Sequence, residues 1–142
     1  MSVFRESEIG YLRDQTLGRL ATVGPDGQPH VIPITFTYNE AEDTVDVGGM
    51  NFSSGKKWRD AERNPKVTLL VDDVLQNPRR ARALEVRGEA ELHQTGGTTI
   101  NPRFPNFDER FFRIRPTHIV SWGLDEGGVN GKGFAPNSRE VG

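Results

Sequence analysis

The sequence predicts a small, mainly β protein built as an antiparallel β-barrel with a few short helices. Short segments of alternating polar and apolar residues recur along the chain, and turns rich in glycine, proline and aspartate separate them. Only one internal segment has helical character. The 142 residues suit a single domain, predicted over residues 1–126, followed by a glycine-rich C-terminal tail over residues 127–142. We expect this tail to be mobile unless a partner holds it.

The first half of the chain is predicted to form a helix followed by three antiparallel strands. Ile9 and Leu12 give the helix a narrow apolar stripe. In the second strand, strict alternation puts its apolar residues on one face: Ile32, Ile34, Phe36 and Tyr38. The predicted bounds are Ser7–Gln15 for the helix and Leu17–Val23, His30–Tyr38 and Thr44–Gly48 for the strands.

The second half is predicted to contain a helix and three more strands. Pro65 ends the helix, and a loop from Gly96 to Arg110 has no clear period, so it is either a lid or an irregular cover. Adjacent arginines, Arg79 and Arg80, are assigned with Arg82 to a positively charged loop. The predicted bounds are Lys56–Asn64 for the helix and Val67–Val71, Leu84–His93 and Thr117–Leu124 for the strands.

Composition narrows the class of protein. The formal charge of −2 gives no global field that favours nucleic acid or an anionic membrane. With no cysteine, the chain has no disulfide framework and no thiolate metal site, and no metal ligand set is predicted. No apolar run has membrane-spanning length, so we expect a soluble cytoplasmic protein. A hydrophobic content of 34% is consistent with a core completed in part by a second copy of the chain, although 16 glycines and 9 prolines also lower the average.

Two lysines, Lys56 and Lys57, stand in the first turn of the predicted second helix. Free amide groups and the positive end of the helix dipole lie there, so an anion is needed to offset the added cations. Serine hydroxyls, amides and two ammonium groups together suit a phosphate or a carboxylate. The alternative is that Ser53 or Ser54 caps the helix and both lysines reach into solvent.

Four segments in a fixed order carry a family resemblance: Leu20–Pro33, Ser54-x-Lys56-Lys57, Asn64-Pro65 and Val86–Glu91. Together they resemble the split-barrel flavin and deazaflavin family, whose best-known members are the pyridoxamine 5′-phosphate oxidases. The resemblance runs from about Leu17 to Leu124.

A narrower set of motifs is similar to one actinobacterial branch of that family. The branch is grouped with the reductase that finishes oxytetracycline biosynthesis, and its members are thought to use the deazaflavin coenzyme F-420. The motifs are Gly48-Gly49-x-Asn51-Phe52, Val71–Val74 and Val120–Gly123.

The resemblance implies an FMN-binding-like split β-barrel of Greek-key topology that forms a homodimer with a cofactor in each groove between the barrels. It implies hydride transfer from coenzyme F-420 to an electron-poor double bond of a small molecule in secondary metabolism. Two alternatives stay open: an FMN-dependent enzyme like pyridoxamine-phosphate oxidase, and a non-catalytic protein that binds flavin, deazaflavin or haem. No catalytic residue is identified.

Several residues are candidates for cofactor contact. Pro33 cannot donate to a ladder and marks an edge or a bulge, against which a planar ring can lie. Gly48 and Gly49 permit close approach to the backbone, or simply form a turn. His30 stands where the oxidases carry an arginine that contacts flavin phosphate, which weakens the case for FMN. The full candidate set is His30, Ile32, Pro33, Gly48, Gly49, Met50, Asn51, Ser54, Lys56, Lys57, Arg79 and Trp122.

Two of these candidates are assigned to the dimer. Arg79 can reach the polyglutamate tail of the deazaflavin across the interface, or it belongs to a solvated loop. Trp122 is either a wall for the partner's cofactor or a core residue. Replacing Lys56 and Lys57 with alanine is expected to weaken cofactor binding by about 2–4 kcal/mol. Folding is expected to change little, because cations at a helix start do not stabilise it.

Overall fold

Seven strands and two α-helices make up the protein, for which a computed structural model describes residues 1–124 and 136–142. Short 3₁₀ helices at Phe52–Ser54 and Gly97–Thr99 precede the second α-helix and the sixth strand, respectively. The bounds are α1 Glu6–Asp14, β1 Leu17–Val23, β2 Pro29–Asn39, β3 Thr44–Gly48, α2 Lys56–Arg63, β4 Lys66–Leu75, β5 Arg80–His93, β6 Phe111–Trp122 and β7 Asn137–Glu140.

Six of the strands close into an antiparallel barrel in the order β3-β2-β1-β4-β5-β6, because β3 also pairs with β6. The seventh strand, β7, is added to β6. One edge of β6 pairs with β5 throughout, so β3 and β7 share the other edge, at Phe112–Ile114 and His118–Ser121. The predicted class, a mainly β split barrel with short helices, is confirmed. No helix in the described part of the chain is long and apolar enough to cross a bilayer.

The barrel is open along half of β2. This strand pairs with β1 from Pro29 to Thr35, but its pairing with β3 begins only at Thr35, opposite Gly48. Within the described residues, the segment from Pro29 to Ile34 therefore has no strand on its second side. Pro33 lies in this segment, where its missing N–H leaves no ladder position empty. The prediction that Pro33 marks a strand edge is confirmed.

The core fills the barrel with alternating side chains from every strand of the closed sheet. Apolar faces predicted from β2 and β5 point inward, with Ile34, Phe36, Leu84 and Val86 all buried. Aromatic rings join α2 to the barrel, since the buried Trp58 stacks on Phe112 with a centroid distance of 5.6 Å. Helix α2 is thereby fixed against the barrel, where it contacts β1 and β5.

The second half of the chain departs from its predicted bounds. Strand β6 begins at Phe111 rather than Thr117, and β5 begins at Arg80 rather than Leu84. Pro116 is tolerated inside β6 because it lies at an irregularity of the ladder opposite Gly88. A Cβ on Gly88 would lie 2.1 Å from the carbonyl oxygen of Arg115, so the close approach of these strands requires glycine.

The assignment of Arg80 and Arg82 to a loop is wrong, because both belong to β5. The Arg82 guanidinium forms an ion pair of 2.7 Å with Asp73 across the β4–β5 hairpin. The Asp73 carboxylate also accepts a hydrogen bond from Tyr11, at 2.7 Å. Hydrogen bonding from Arg82, followed by that from Tyr11, outweighs burial and lowers the pKa of Asp73. Arg82 is therefore a structural cation between the hairpin and α1.

Strand β7 was not predicted from the sequence and is held to the barrel by a cluster that we call the terminal clasp: Glu8, Ser121 and Arg139. Arg139 donates to both carboxylate oxygens of the fully buried Glu8, at 2.6 and 3.1 Å. The Ser121 hydroxyl donates to the same carboxylate at 2.6 Å. Burial raises the pKa of Glu8, but these hydrogen bonds outweigh it and leave the pKa below its usual value.

The clasp joins the two ends of the described chain, since Arg139 also donates to the carbonyl oxygen of Val3 at 2.8 Å. Residues 137–140 are thus part of the folded unit rather than a loose extension. The remainder of the predicted glycine-rich tail lies largely in residues 125–135, outside the described residues. The boundary after residue 126 stays a prediction.

Candidate functional site

A groove of about 450 Å³ opens where β2 loses its neighbour β3. One wall comes from β1, β2 and the end of β3, and the other comes from the loop between β5 and β6. The lining residues are Leu17, Pro33, Ile34, Thr35, Gly48, Gly49, Met50, Lys57, Arg103, Phe104, Pro105, Asn106 and Phe107. The walls are mainly apolar, and no carboxylate stands among these residues.

Lys57 reaches into this groove from the first turn of α2. Its ammonium group makes no hydrogen bond or ion pair with the described residues and lies 4.8 Å from the centroid of the Phe52 ring. The side chain is half-buried, and this burial alone lowers its pKa. A partly desolvated, unpaired cation at a helix start is well suited to an anionic ligand.

Lys56 points elsewhere, although it is the adjacent residue. Its ammonium group bonds both carboxylate oxygens of Asp60, at 3.0 and 3.1 Å, one helical turn away. Asp60 is fully buried and also binds Arg63 at 2.6 Å and the Thr22 hydroxyl at 2.9 Å. Burial raises the pKa of Asp60, and the bonds from Lys56 and Thr22 lower it by more. The predicted small effect of the lysine replacements on folding did not take this ion pair into account, because Lys56 pairs with a buried carboxylate.

A second, more open pocket lies on the Lys56 side. It is formed by the β1–β2 turn and the start of β2, and it contains His30 together with Lys56. The two lysines thus border different cavities, since successive residues of a helix point about 100° apart. The predicted paired-ammonium receptor is divided between Lys57 in the groove and Lys56 beside His30.

Neither serine of the predicted anion site caps α2. The N-cap is Gly55, which has no side chain to offer. The Ser53 amide and hydroxyl both donate to the Asp108 carboxylate, at 3.1 and 2.7 Å, and these bonds lower the pKa of Asp108. The Ser54 hydroxyl donates to the carbonyl oxygen of Asn51 at 2.9 Å. The capping interpretation is therefore wrong.

The two glycines at the end of β3 have different roles. A Cβ on Gly48 would lie 2.8 Å from Ile100 and 3.2 Å from Phe107, so the absence of a side chain lets the β5–β6 loop pack on β3. A Cβ on Gly49 would approach only Phe52, at 3.6 Å. Packing therefore does not require glycine at position 49, which lines the groove without a side chain.

The other candidates lie at varied distances from the groove. Met50 lines it and is 70% exposed, whereas the Ile32 side chain packs partly against the core. Asn51, at the groove-side start of the 3₁₀ helix, has a left-handed backbone with φ of 54°. Arg79, in the turn before β5, and Trp122, at the end of β6, do not line the groove.

The sequence did not predict any site residue in the loop between β5 and β6, yet Arg103, Phe104 and Phe107 of this loop line the groove. The rings of Phe104 and Phe107 are parallel, with centroids 5.0 Å apart and an interplanar angle of 5°. The loop that carries them is fixed to β3 because the Asp108 amide donates to the carbonyl oxygen of Gly49 at 2.9 Å. Two phenylalanines in an otherwise polar loop were the available sequence signal, but the loop has no periodicity that assigns them a direction.

Comparison with known proteins identifies the family. The sequence profile described as pyridoxamine 5′-phosphate oxidase matches residues 10–123, which is most of the chain. The chain belongs to the pyridoxamine 5′-phosphate oxidase family. The family resemblance inferred from the order of the sequence motifs is confirmed.

One curated relative belongs to a more specific group. The 5a,11a-dehydrotetracycline/5a,11a-dehydrooxytetracycline reductase of Streptomyces rimosus is 38% identical over 123 residues, covering 86% of this chain and 84% of the relative. The resemblance to the tetracycline-reductase branch is therefore confirmed.

Solved structures share the fold. A conserved hypothetical protein from Mycobacterium tuberculosis superposes with a TM-score of 0.67 at 20% identity, covering 87% of each chain. The FAD binding protein from Mycobacterium smegmatis gives a TM-score of 0.61 at 22% identity, covering 85% of this chain and 96% of the other. These matches support the split-barrel architecture of this family member.

The groove has features that suit a planar, anionic ligand. Its lining combines apolar walls, the side-chain-free Gly49 and Lys57, which is unpaired among the described residues, and it holds two cations with no carboxylate. Charge complementarity therefore favours an anion over a cation or a metal ion. Across residues 1–124 and 136–142, no group of three or more metal-ligating side chains is found.

Proposed function

We propose that this protein is an oxidoreductase that reduces an electron-poor double bond of a small molecule in secondary metabolism, with coenzyme F-420 as the hydride donor. The observation that carries the proposal is the apolar groove with an unpaired, half-buried Lys57, in a chain 38% identical to a dehydrotetracycline reductase. Flavin-type cofactors in general suit such a groove. The deazaflavin is preferred because His30 stands where the oxidases carry a phosphate-binding arginine.

The residues of the groove would act by binding, orienting and shielding. Lys57 and the amides at the start of α2 would hold the acidic side chain of the cofactor. The backbone beside Pro33 and Gly49 would support the ring system, and Phe104 and Phe107 would exclude water from the loop side of the groove, where the acceptor meets the ring. When bound, the reduced deazaflavin supplies the hydride, and the protein contributes its position relative to the acceptor.

A homodimer is part of the proposal. The open edge of β2 carries Val31, which is 63% exposed, and Leu17 and Met50 are exposed beside the groove at 50% and 70%. A second copy packed on this side would bury these side chains and close the groove. Arg79 and Trp122 lie outside the groove of their own protomer, so any cofactor contact that they make would cross this interface.

Fluorescence titration with coenzyme F-420, FMN and haem tests the cofactor. We expect saturable binding of F-420 at micromolar concentration and much weaker binding of FMN. Turnover of 5a,11a-dehydrotetracycline with chemically reduced F-420, followed by absorbance, tests the reaction. Tight FMN or haem binding without F-420 binding would overturn the cofactor proposal. Tight F-420 binding without turnover of any enone would favour a carrier.

A further inference from the structure

We propose that Arg103, together with the stacked rings of Phe104 and Phe107, is the acceptor-recognition element of the groove. The acceptor that it selects is a planar, conjugated molecule with a negative charge, such as a carboxylate or an enolate of neighbouring carbonyl groups. The inference rests on the proposed function: the cofactor is proposed to bind on the strand side of the groove, and the acceptor is assigned to the loop side.

The first observation is that Arg103 is a cation without a counter-ion. Its side chain is exposed, and within the described residues it makes no hydrogen bond, ion pair or ring contact. Only its backbone is fixed, since the Arg103 amide donates to the side-chain oxygen of Asn101 at 3.0 Å. By contrast, Arg82 in β5 and Arg113 in β6 are each paired with an acidic residue. Arg103 is thus available for a ligand.

The second observation is the charge balance of the groove. Its lining includes Lys57 and Arg103 but no aspartate or glutamate, although acidic residues outnumber basic ones in the chain by 20 to 18. Lys57 lies at the start of α2 and suits the acidic group of the cofactor. The remaining cation is on the opposite, loop-side wall, which implies that the second molecule in the groove is also anionic.

The third observation is the shape of the loop-side wall. Phe107 is 9% exposed and packs over Gly48, while Phe104 stacks on it and is 40% exposed. The pair therefore presents a flat apolar face that is rigid from beneath. A flat aromatic wall stabilises planar ligands by offset stacking. A guanidinium fork beside it can bind two oxygen atoms of one delocalised anion.

The anchoring of the loop makes this wall a defined surface rather than a loose cover. The Asp108 carboxylate accepts bonds from the Ser53 amide and hydroxyl, and the Asp108 amide donates to the carbonyl oxygen of Gly49. A turn in which the Phe104 amide donates to the carbonyl oxygen of Asn101 at 3.0 Å holds the residues before the rings. The backbone at Arg103 is therefore held by the turn that begins at Asn101 and, further along the loop, by the bonds of Asp108.

The test uses two planar probes that differ in charge, anthraquinone carboxylate and the neutral (hydroxymethyl)anthraquinone substituted at the same ring position. Their affinities are measured by isothermal titration calorimetry, with and without saturating coenzyme F-420. The variants are Arg103→Gln, Arg103→Lys and Phe104→Leu, with Lys66→Gln as a matched control for an exposed cation outside the groove. Coenzyme F-420 affinity is measured for every variant.

We expect the native protein to bind the carboxylate about ten- to a hundredfold more tightly than the neutral probe, the range of one charge-assisted hydrogen bond. Arg103→Gln removes this preference, Arg103→Lys keeps part of it, and Phe104→Leu weakens both probes. Coenzyme F-420 affinity stays unchanged in the Arg103 variants, and Lys66→Gln changes nothing.

Three results would overturn the inference: no binding of either probe, an undiminished charge preference in Arg103→Gln, or mutual exclusion between the probe and coenzyme F-420. Failure of the proposed function is a separate result. If coenzyme F-420 does not bind, the cofactor assignment fails, while the dependence of probe binding on Arg103 is still measured on the free protein.

Discussion

The terminal clasp and the groove treat charged side chains in opposite ways. In the clasp, the fully buried Glu8 receives hydrogen bonds from Arg139 and Ser121, and no oxygen of its carboxylate lacks a donor. In the groove, Lys57 and Arg103 have no acidic partner among the described residues. The clasp uses charge to hold distant parts of the chain together, whereas the groove keeps its charge for another molecule.

Adjacent lysines repeat the same contrast within one helical turn. Lys56 is bound to the buried Asp60 and contributes to the fold. Lys57 borders the groove and has only the face of Phe52 near its ammonium group. Paired cations are thus expected to affect stability when replaced, and unpaired cations are expected to affect binding.

The largest stability effect is expected for Glu8→Ala. Removing one member of a buried ion pair leaves Arg139 without its partner and detaches β7, so the free energy of unfolding should fall by about 3 kcal/mol. Urea denaturation measures the change, with the exposed Glu6→Ala as the control. Unaltered coenzyme affinity in the folded fraction would show that the clasp acts on stability and not on binding. A loss of unfolding free energy below about 1 kcal/mol would contradict this role of the clasp.

The same carboxylate predicts acid sensitivity. Because the pKa of folded Glu8 lies below its ordinary value of 4.5, the unfolded state binds more protons as the solution becomes acidic. The stabilisation from Glu8 is therefore complete above pH 4.5 and is lost as pH falls through the folded pKa. Comparison with Glu8→Gln should show a stability difference that shrinks below pH 4.5, and a difference constant with pH would contradict the assignment.

For Lys57→Met, binding rather than folding should change. Loss of one charged hydrogen bond should weaken coenzyme F-420 binding by about 2 kcal/mol, or roughly thirtyfold. Unfolding free energy should stay within about 0.5 kcal/mol, because the lost contact with Phe52 and the relieved burial of a cation oppose each other. Lys66→Met is the control, and native affinity in Lys57→Met would show that the anion binds elsewhere.

Lys56→Met should mainly lower stability, whereas Lys57→Met should mainly weaken binding. The effect of Lys56→Met should also be smaller. The buried Asp60 keeps Arg63 and Thr22 as partners, and Lys56 itself is 44% exposed, so solvent screens much of the interaction. A loss of about 1 kcal/mol in unfolding free energy is expected, together with a modest change in binding. A stability equal to that of the native chain would remove the distinction between the two lysines.

The smallest expected effect is a change of stability with pH in alkaline solution. Burial lowers the pKa of Lys57 below 10.5, so just below that pH the unfolded state binds more protons than the folded state. Stability should therefore rise slightly with pH in that window, and Lys57→Met should abolish the rise. Thermal melts of both proteins at closely spaced pH values measure the difference, and identical slopes would count against a desolvated Lys57.

Sequence patterns predicted the elements whose information is local. The alternation from Ile32 to Tyr38, the edge at Pro33 and the two lysines at the start of α2 all follow from neighbouring residues. The direction of each lysine did not follow, because the buried Asp60 that binds Lys56 lies on the inner face of a helix whose packing depends on the whole barrel.

Long-range pairing explains the features that were missed. The polar segment Asn137–Glu140 has no apolar alternation, and it becomes a strand only because β6 has a free edge and Glu8 attracts Arg139. Likewise, Arg103 lines the groove because its loop packs on Gly48 and is hydrogen-bonded to Gly49, more than fifty residues earlier in the chain. Periodicity carries no information about such contacts.

The shared edge of β6 has a practical consequence for shortening the protein. A chain that ends at residue 126, the boundary drawn from composition, would uncover backbone donors and acceptors from His118 to Ser121. It would also leave the buried Glu8 carboxylate without its ion pair to Arg139. Unpaired strand edges recruit other chains, so such a truncation should express as an aggregate. Retention of the final residues should restore solubility.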